Sequence, residues 1–223
     1  MPSPGLQVDD LSRRFGPRWV LTHVSFDVPA GEALLLLGAN GSGKTTLLRC
    51  LASALRPHHG AIRLGGRDLW AERASVRSDV ALLGHATRLY EDLSAFENLA
   101  VWASLAGARA DRAVLDRVGL ADTGDRPVRA FSAGMKRRLA LAVALLKAPR
   151  LALFDEPFTS LDVEGRALMG TIIDEVRAAG ATVVLCTHHP EIGARHCERA
   201  IRLEGGRVAW RGPAREASLV GVE

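Results

Sequence analysis

The residues that most directly predict chemistry are GANGSGKTT at positions 38–46. They have the spacing G-x-x-x-x-G-K-[ST], and they lie between an apolar run of strand length and a helical pattern. Glycines let a backbone wrap closely around a phosphate group, and the N–H groups at a helix N-terminus attract its negative charge. The candidate phosphate-binding residues are Gly38, Ala39, Asn40, Gly41, Ser42, Gly43, Lys44, Thr45 and Thr46.

Within this loop, Lys44 and Thr45 have side chains that suit two separate tasks. We expect Lys44 to reach the β- and γ-phosphates of a nucleotide and Thr45 to ligate Mg²⁺. The alternative is a glycine-rich turn between a strand and a helix that contains Lys and Thr without binding a ligand.

A second pair of reactive side chains lies at the end of the apolar run in LALFDEPF, residues 151–158. Ligands of α/β proteins bind at the carboxyl ends of strands, which is where Asp155 and Glu156 fall. Successive strand residues point to opposite faces, so the two carboxylates cannot do the same work. We expect Asp155 to bind Mg²⁺ through water and Glu156 to act as general base for an attacking water. The alternative is a helix cap and a solvated acid.

The composition is that of an ordinary globular chain. Of the 223 residues, 48% are apolar, which is enough for a substantial core. No apolar run approaches the length of about eighteen residues that a membrane span needs, and the N-terminus lacks a signal-peptide pattern. We therefore expect a cytosolic protein without an anchor of its own. Three cysteines without a CxxC pair argue against a disulfide framework or a zinc site.

The net charge of +4 raises the question of nucleic-acid binding. Only three lysines stand among the 29 basic residues, and acidic residues are interspersed along the whole chain. This pattern is typical of solvated faces rather than of a basic binding patch. We expect no direct nucleic-acid binding.

The hydrophobic pattern indicates which elements position the candidate residues. Residues 6–28 alternate apolar and polar around a turn at Gly16 and Pro17, which predicts antiparallel strands. LEGGRVAWRG predicts a hairpin that turns at Gly205 and Gly206. Continuous apolar runs predict strands buried on both faces at 32–38, 80–83, 151–154 and 182–187. Helical patterns occupy 44–55, 95–107, 111–118, 133–147 and 164–179, with Gly180 closing the last.

Strands that alternate with helices predict an α/β fold around a mostly parallel core sheet. Residues 87–148 contain helical patterns without strands, so we expect a helical subdomain inserted into that fold. The chain 1–223 is then a single domain, and its core is formed by 1–86 and 149–223.

The remaining motifs occur in an order that resembles the ATP-binding subunit of ATP-binding-cassette (ABC) transporters, a P-loop NTPase fold, over nearly the full length. The signature of that family is LSGGQ. The corresponding FSAGM keeps Ser132 and Gly134 but has Ala133 and Met135 in place of glycine and glutamine. The resemblance implies that Ser132 caps a helix whose N-terminus faces ATP held by the opposite subunit. The alternative is a capped amphipathic helix and nothing more.

The resemblance assigns roles to three further residues. The SLD motif resembles the D-loop, which implies that Asp162 faces the partner subunit. The CTHH motif resembles the strand end that carries the switch histidine, which implies that His188 senses the γ-phosphate. His189 is a competitor, although it stands at a helix start. Phe15 resembles the aromatic residue that stacks on adenine, but an aromatic at a strand end packs in a core or turn about as often.

His85 stands where most members of the family carry a glutamine that touches Mg²⁺ or the attacking water. An imidazole donates or accepts through one nitrogen at a time and titrates near neutrality, so it replaces the amide imperfectly. The alternative is a histidine satisfied at a strand end. Beyond it, Ser94 and Glu97 form the pattern S-x-x-E, a capping box that predicts a helix start.

Gly-His at this point, Ser-Ala-Gly in the signature and Phe-Thr after Asp-Glu-Pro resemble the haem-exporter ATPases of bacterial cytochrome c maturation. That resemblance implies a homodimer in the ATP-bound state, with Mg²⁺, and multi-span membrane subunits of the haem-exporter permease type as partners. It also implies a peripheral location on the cytoplasmic face of the inner membrane. The rivals are the ATPase of a drug, lipid or polysaccharide exporter and a soluble ABC ATPase that acts in translation or DNA repair.

Overall fold

The fold is built from two sheets with helices packed against them. The computed structural model describes residues 5–217. The strands are β1 (Leu6–Phe15), β2 (Arg18–Val28), β3 (Ala33–Leu37), β4 (His59–Leu64), β5 (Arg67–Asp68), β6 (Val80–Leu83), β7 (Leu151–Asp155), β8 (Thr182–Cys186), β9 (Arg199–Glu204) and β10 (Arg207–Pro213). The helices are α1 (Lys44–Leu51), α2 (Arg73–Val76), α3 (Ala95–Ala106), α4 (Ala113–Arg117), α5 (Ala133–Ala144), α6 (Val163–Ala178) and α7 (Pro190–Gly193).

The larger sheet has the strand order β10-β9-β3-β8-β7-β6. Its neighbouring strands run parallel from β9 to β6, and the edge strand β10 is antiparallel to β9. Every residue of β3, β7 and β8 is buried, because layers of structure cover both faces of the sheet. The predicted α/β fold with a mostly parallel core sheet is confirmed.

Side chains of β3 alternate between two hydrophobic cores. Leu35 and Leu37 belong to the core that contains buried residues of α3, α5 and α6. Leu34 and Leu36 belong to the core on the other face, with residues of α1, β1 and β2. This two-residue period places the central strand between the helical layer and the antiparallel sheet.

The smaller sheet is antiparallel and has the order β2-β1-β4-β5. β1 and β2 pair with Phe15 opposite Arg18, so the predicted antiparallel strands around Gly16 and Pro17 are confirmed. β4 and β5 were not predicted, because HGAIRL is short and contains Gly60, and β5 has just two residues. Pairing with β1 across the sheet, rather than a local pattern, defines β4.

The helices begin close to their predicted positions but some end earlier. α1 stops at Leu51 rather than residue 55, because Ser53 adopts a positive φ of 52° and cannot continue a right-handed helix. α5 ends at Ala144. Gly180 closes α6 as predicted: its φ is +95° and its N–H donates to the carbonyl of Arg177 at 2.8 Å. The hairpin at Gly205 and Gly206 is also confirmed.

The segment between β6 and β7 carries α3, α4 and α5, so the helices are inserted between two strands that pair directly. The capping box at the start of α3 is confirmed, with reciprocal hydrogen bonds between Ser94 and Glu97. The extent of one domain over 1–223 stays a prediction, and residues 1–4 and 218–223 lie outside the described residues. Within residues 5–217, no helix is long and apolar enough to cross a bilayer.

Candidate functional site

The loop between β3 and α1 has a conformation that glycine permits. Gly38, Gly41 and Gly43 have φ angles of +143°, +81° and +109°, a region in which side chains with a Cβ are strained. A Cβ on Gly38 would lie 2.4 Å from the carbonyl oxygen of Leu203, and one on Gly43 would lie 2.8 Å from Cδ2 of Leu21. The glycine spacing therefore serves both the turn itself and its close packing against β2 and β9.

The start of α1 is available to an anion. Its N-cap is Gly43, which has no side chain to accept a hydrogen bond from the first helical N–H groups. Those groups carry the positive end of the helix dipole, so a phosphate placed above the loop would be stabilised by several donors. The positive φ angles and the helix start are compatible with a phosphate cradle, which stays a prediction.

Lys44 lies folded back over the loop. Its ammonium donates to the carbonyl oxygens of Gly38 at 2.5 Å and Ala39 at 2.9 Å, and the residue is 8% exposed. Backbone carbonyls satisfy the buried charge only partly, and a phosphate oxygen is a stronger acceptor because it carries formal charge. A nucleotide phosphate bound in the loop would therefore replace these two carbonyls as the acceptor of the Lys44 ammonium.

Thr45 and Asp155 meet across the interface between α1 and β7. The Thr45 hydroxyl oxygen lies 3.5 Å from Oδ2 of Asp155, and Asp155 is 6% exposed. A hydroxyl and a carboxylate are hard oxygen ligands of the kind that Mg²⁺ prefers. The chemistry of this pair fits the predicted metal site.

Glu156 and His188 are brought into contact by the neighbouring strands β7 and β8. The backbone N–H of Glu156 donates to the carbonyl of Cys186 at 2.8 Å, and its Oε2 accepts from the backbone N–H of His188 at 3.1 Å. Nε2 of the His188 ring is 3.4 Å from Oε1 of Glu156. The side chains predicted as general base and phosphate sensor therefore face one another. His189 instead lies near Glu191 at the start of α7.

The other predicted residues lie on elements around this cluster. Ser132 caps α5, where its hydroxyl accepts from the N–H of Met135 at 3.2 Å. A Cβ on Gly134 would lie 3.0 Å from the carbonyl oxygen of Ser160, so this glycine lets the SLD segment pack against α5. Asp162 caps α6 by accepting from Gly165 N–H at 2.8 Å, a local role that the sequence analysis overlooked.

Phe15 and His85 are exposed. Phe15 ends β1 with 48% of its surface exposed, and the Arg13 guanidinium lies 4.9 Å from its ring centroid. Trp19, 44% exposed on β2 and stacked with His59, is a second exposed aromatic residue that the sequence analysis did not consider. His85 lies just beyond β6, and its backbone carbonyl accepts from Nη1 of Arg137 at 3.5 Å.

Arg137 is a residue of this site that the sequence analysis missed. It is 5% exposed, and its guanidinium donates to the backbone carbonyls of Gly84, Asp155 and Glu156. Burial lowers the pKa of Arg137, and the negative charges of Asp155 and Glu156 oppose that shift. The sequence did contain a signal for Arg137. This charged residue lies on the same face of α5 as Leu141, and that face is otherwise apolar.

Comparison with known proteins agrees with this geometry. The family model described as ABC transporter matches residues 21–159. The chain is 38% identical to the daunorubicin resistance ATP-binding protein DrrA3 of Streptomyces coeruleorubidus, over 97% of this chain and 70% of that protein. It is 40% identical to the cytochrome c biogenesis ATP-binding export protein CcmA of Nitrosococcus oceani, over 83% of this chain and 87% of that protein. A solved ATP-binding subunit of an ABC transporter superposes with a TM-score of 0.86 at 30% identity, covering 98% of this chain and 95% of that one.

The fold and the site define a nucleotide-binding P-loop protein, and the chain belongs to the ABC transporter family. Within that family it is an ATP-binding subunit, an ATPase that works with membrane subunits. The predicted family and enzyme class are confirmed. Relatives named for different transport functions are about equally similar to this chain, so the comparisons do not single out haem export.

The loop packing predicts unequal effects of two glycine replacements. Gly43→Ala combines a positive φ with a collision against Leu21, whereas Gly41→Ala meets open space among the described residues and adds backbone strain alone. We expect Gly43→Ala to cost roughly 1–3 kcal/mol more in the free energy of unfolding than Gly41→Ala, because overpacking adds to the strain. Urea unfolding of both variants measures the difference. Equal losses would show that the contact with Leu21 does not constrain the loop.

Proposed function

We propose that this chain powers a haem exporter of cytochrome c maturation by hydrolysing ATP. For the hydrolysis, the supporting observation is the contact of Glu156 with His188 beside the phosphate loop. For the cargo, the support is the set Gly84-His85, Ser132-Ala133-Gly134 and Phe158-Thr159, together with 40% identity to a cytochrome c biogenesis export protein.

In the nucleotide-bound state, Lys44 leaves the carbonyls of Gly38 and Ala39 and binds the β- and γ-phosphates. The N–H groups of residues 40–46 hold the remaining phosphate oxygens. Thr45 and Asp155 are the residues that would hold Mg²⁺. Bound there, Mg²⁺ would supply positive charge that offsets the negative charge of the phosphate oxygens.

Glu156 takes the proton of the attacking water. Its Oε2 accepts from the backbone N–H of His188, and its Oε1 has no hydrogen-bond partner among the described residues, so Oε1 is the oxygen that would accept from the water. His188 donates from its ring to the γ-phosphate and reports whether that phosphate is present. His188 thus links Glu156, the general base, to the γ-phosphate.

A second copy of the chain completes the site. Ser132 and Gly134 at the start of α5 face ATP held by the partner, and Asp162 faces the partner subunit. Phe15 stacks on adenine, and His85 approaches Mg²⁺ or the attacking water. Closure of the homodimer on two ATP molecules drives multi-span membrane subunits of the haem-exporter permease type. The chain lies peripherally on the cytoplasmic face of the inner membrane.

The second candidate is the same ATPase in an exporter of another cargo. The observation that favours it is 38% identity, over 97% of this chain, to a protein named for daunorubicin resistance. The residues of the phosphate site are compatible with either cargo, because ATP hydrolysis is common to both. The two functions therefore differ in the membrane partner and not in the catalytic chemistry.

Glu156→Gln tests the chemistry. The amide cannot take a proton from water, so we expect kcat for ATP hydrolysis to fall by about 100-fold or more while the Kd for ATP changes little. Steady-state phosphate release and equilibrium binding of a fluorescent ATP analogue measure the two quantities. Glu164→Gln, at an exposed position in the first turn of α6, is the matched control. Normal hydrolysis in Glu156→Gln would remove Glu156 from the role of general base.

A gene deletion in the native host tests the cargo. We expect the bands of c-type cytochromes to disappear when membrane proteins are stained for covalently bound haem on a denaturing gel. The wild-type gene should restore them, and a Lys44→Ala copy should not. Bands that persist in a host that normally makes these cytochromes would contradict haem export and favour the other cargo.

A further inference from the structure

Arg137 connects three backbone segments around the site. Its Nη1 donates to the carbonyl of Gly84 at 2.6 Å, and its Nη2 donates to the carbonyl of Glu156 at 2.8 Å and to that of Asp155. Gly84 follows β6, Asp155 ends β7, and Glu156 follows β7 directly. A single side chain of α5 therefore bridges the carboxyl ends of neighbouring strands.

A buried cation in this position has a considerable desolvation cost, which its hydrogen bonds must offset. The acceptors are backbone carbonyls, so the side-chain carboxylates of Asp155 and Glu156 stay available for other partners. The two Nη atoms of a guanidinium diverge in a rigid fork and reach separate carbonyls at once. A lysine ammonium has one nitrogen and cannot reproduce both ends of this contact.

The backbone of Glu156 needs such support. Its φ is +54°, a left-handed conformation that costs free energy in a residue other than glycine. The N–H of Glu156 is held by the carbonyl of Cys186 on β8, and its carbonyl is held by Arg137 on α5. If the residue relaxed to negative φ, its carbonyl would rotate and the Glu156 side chain would point away from His188.

We propose that Arg137 is a positioning residue for ATP hydrolysis, which holds the Glu156 backbone in its left-handed conformation so that the carboxylate faces His188. This rests on the proposed role of Glu156 as general base. Ser132 caps α5 and Gly134 lies in its first turn, so Arg137 connects the helix that carries these two residues to the Glu156 carboxylate. The contact with Gly84 extends the same connection to the segment that carries His85.

The test compares two adjacent arginines of α5. Arg137→Lys keeps the charge but loses the fork, and Arg137→Gln loses both. Arg138→Gln is the matched control. Arg138 also donates to two backbone carbonyls, but these belong to Val118 and Gly119 and not to the residues at the end of β7. We expect Arg137→Lys to lower kcat by about tenfold or more with the KM for ATP changed by less than about threefold, since a misplaced base slows chemistry without weakening binding. Arg138→Gln should keep kcat within about twofold.

A second measurement separates positioning from general loss of structure. Single-turnover hydrolysis is followed for Glu156→Gln with and without Arg137→Lys. If Arg137 acts through the Glu156 carboxylate, its replacement should not slow the residual reaction by more than about twofold. A further loss as large as in the wild-type background would overturn the proposal. A kcat for Arg137→Lys within about twofold of wild type would also overturn the proposal. This measurement keeps the test decisive if Arg137→Gln does not fold.

These outcomes are distinct from failure of the proposed function. If Glu156→Gln hydrolyses ATP at the wild-type rate, the general base is another residue and the account of hydrolysis fails, whatever Arg137→Lys does. If Glu156→Gln is inactive but Arg137→Lys is fully active, the general base stands and only the positioning role of Arg137 fails.

Discussion

The register of three buried parallel strands determines where the reactive groups lie. β3 pairs with β8, and β8 pairs with β7, so that Cys186 is opposite both Leu36 and Asp155. The phosphate loop follows β3, Asp155 ends β7 with Glu156 directly after it, and His188 lies two residues beyond the end of β8. A slip of one residue would move the side chains of these strands from one core to the other, so the packing of the two cores fixes the register and the register aligns the site.

Charge is arranged so that the carboxylates remain usable. Lys44 and Arg137 are both buried cations, and both donate to backbone carbonyls. Asp155 is left beside the Thr45 hydroxyl, and Glu156 beside His188. In a site of low dielectric this arrangement lets an incoming nucleotide exchange carbonyl contacts for phosphate contacts, with the acidic groups free for metal and water.

The sequence was sufficient for the parts of the site that follow local rules. The glycine loop, the buried strands and the acidic pair at the end of β7 each depend on periodicity or spacing within a few residues. β4 was missed because it is defined by pairing with β1, and Arg137 was missed because its partners lie 18 to 53 residues away. Asp162 was interpreted through its partner-facing role, and its capping of α6 became visible only with the hydrogen bond to Gly165.

We infer that the groups aligned by β3, β7 and β8 form one ATP site. A crystal structure of the Glu156→Gln protein with Mg-ATP tests it most directly. We predict that the Lys44 ammonium leaves the carbonyls of Gly38 and Ala39 for the phosphates, with the metal ion at Thr45 and Asp155 and the γ-phosphate near His188. A nucleotide bound elsewhere, with Lys44 still donating to those two carbonyls, would contradict the account.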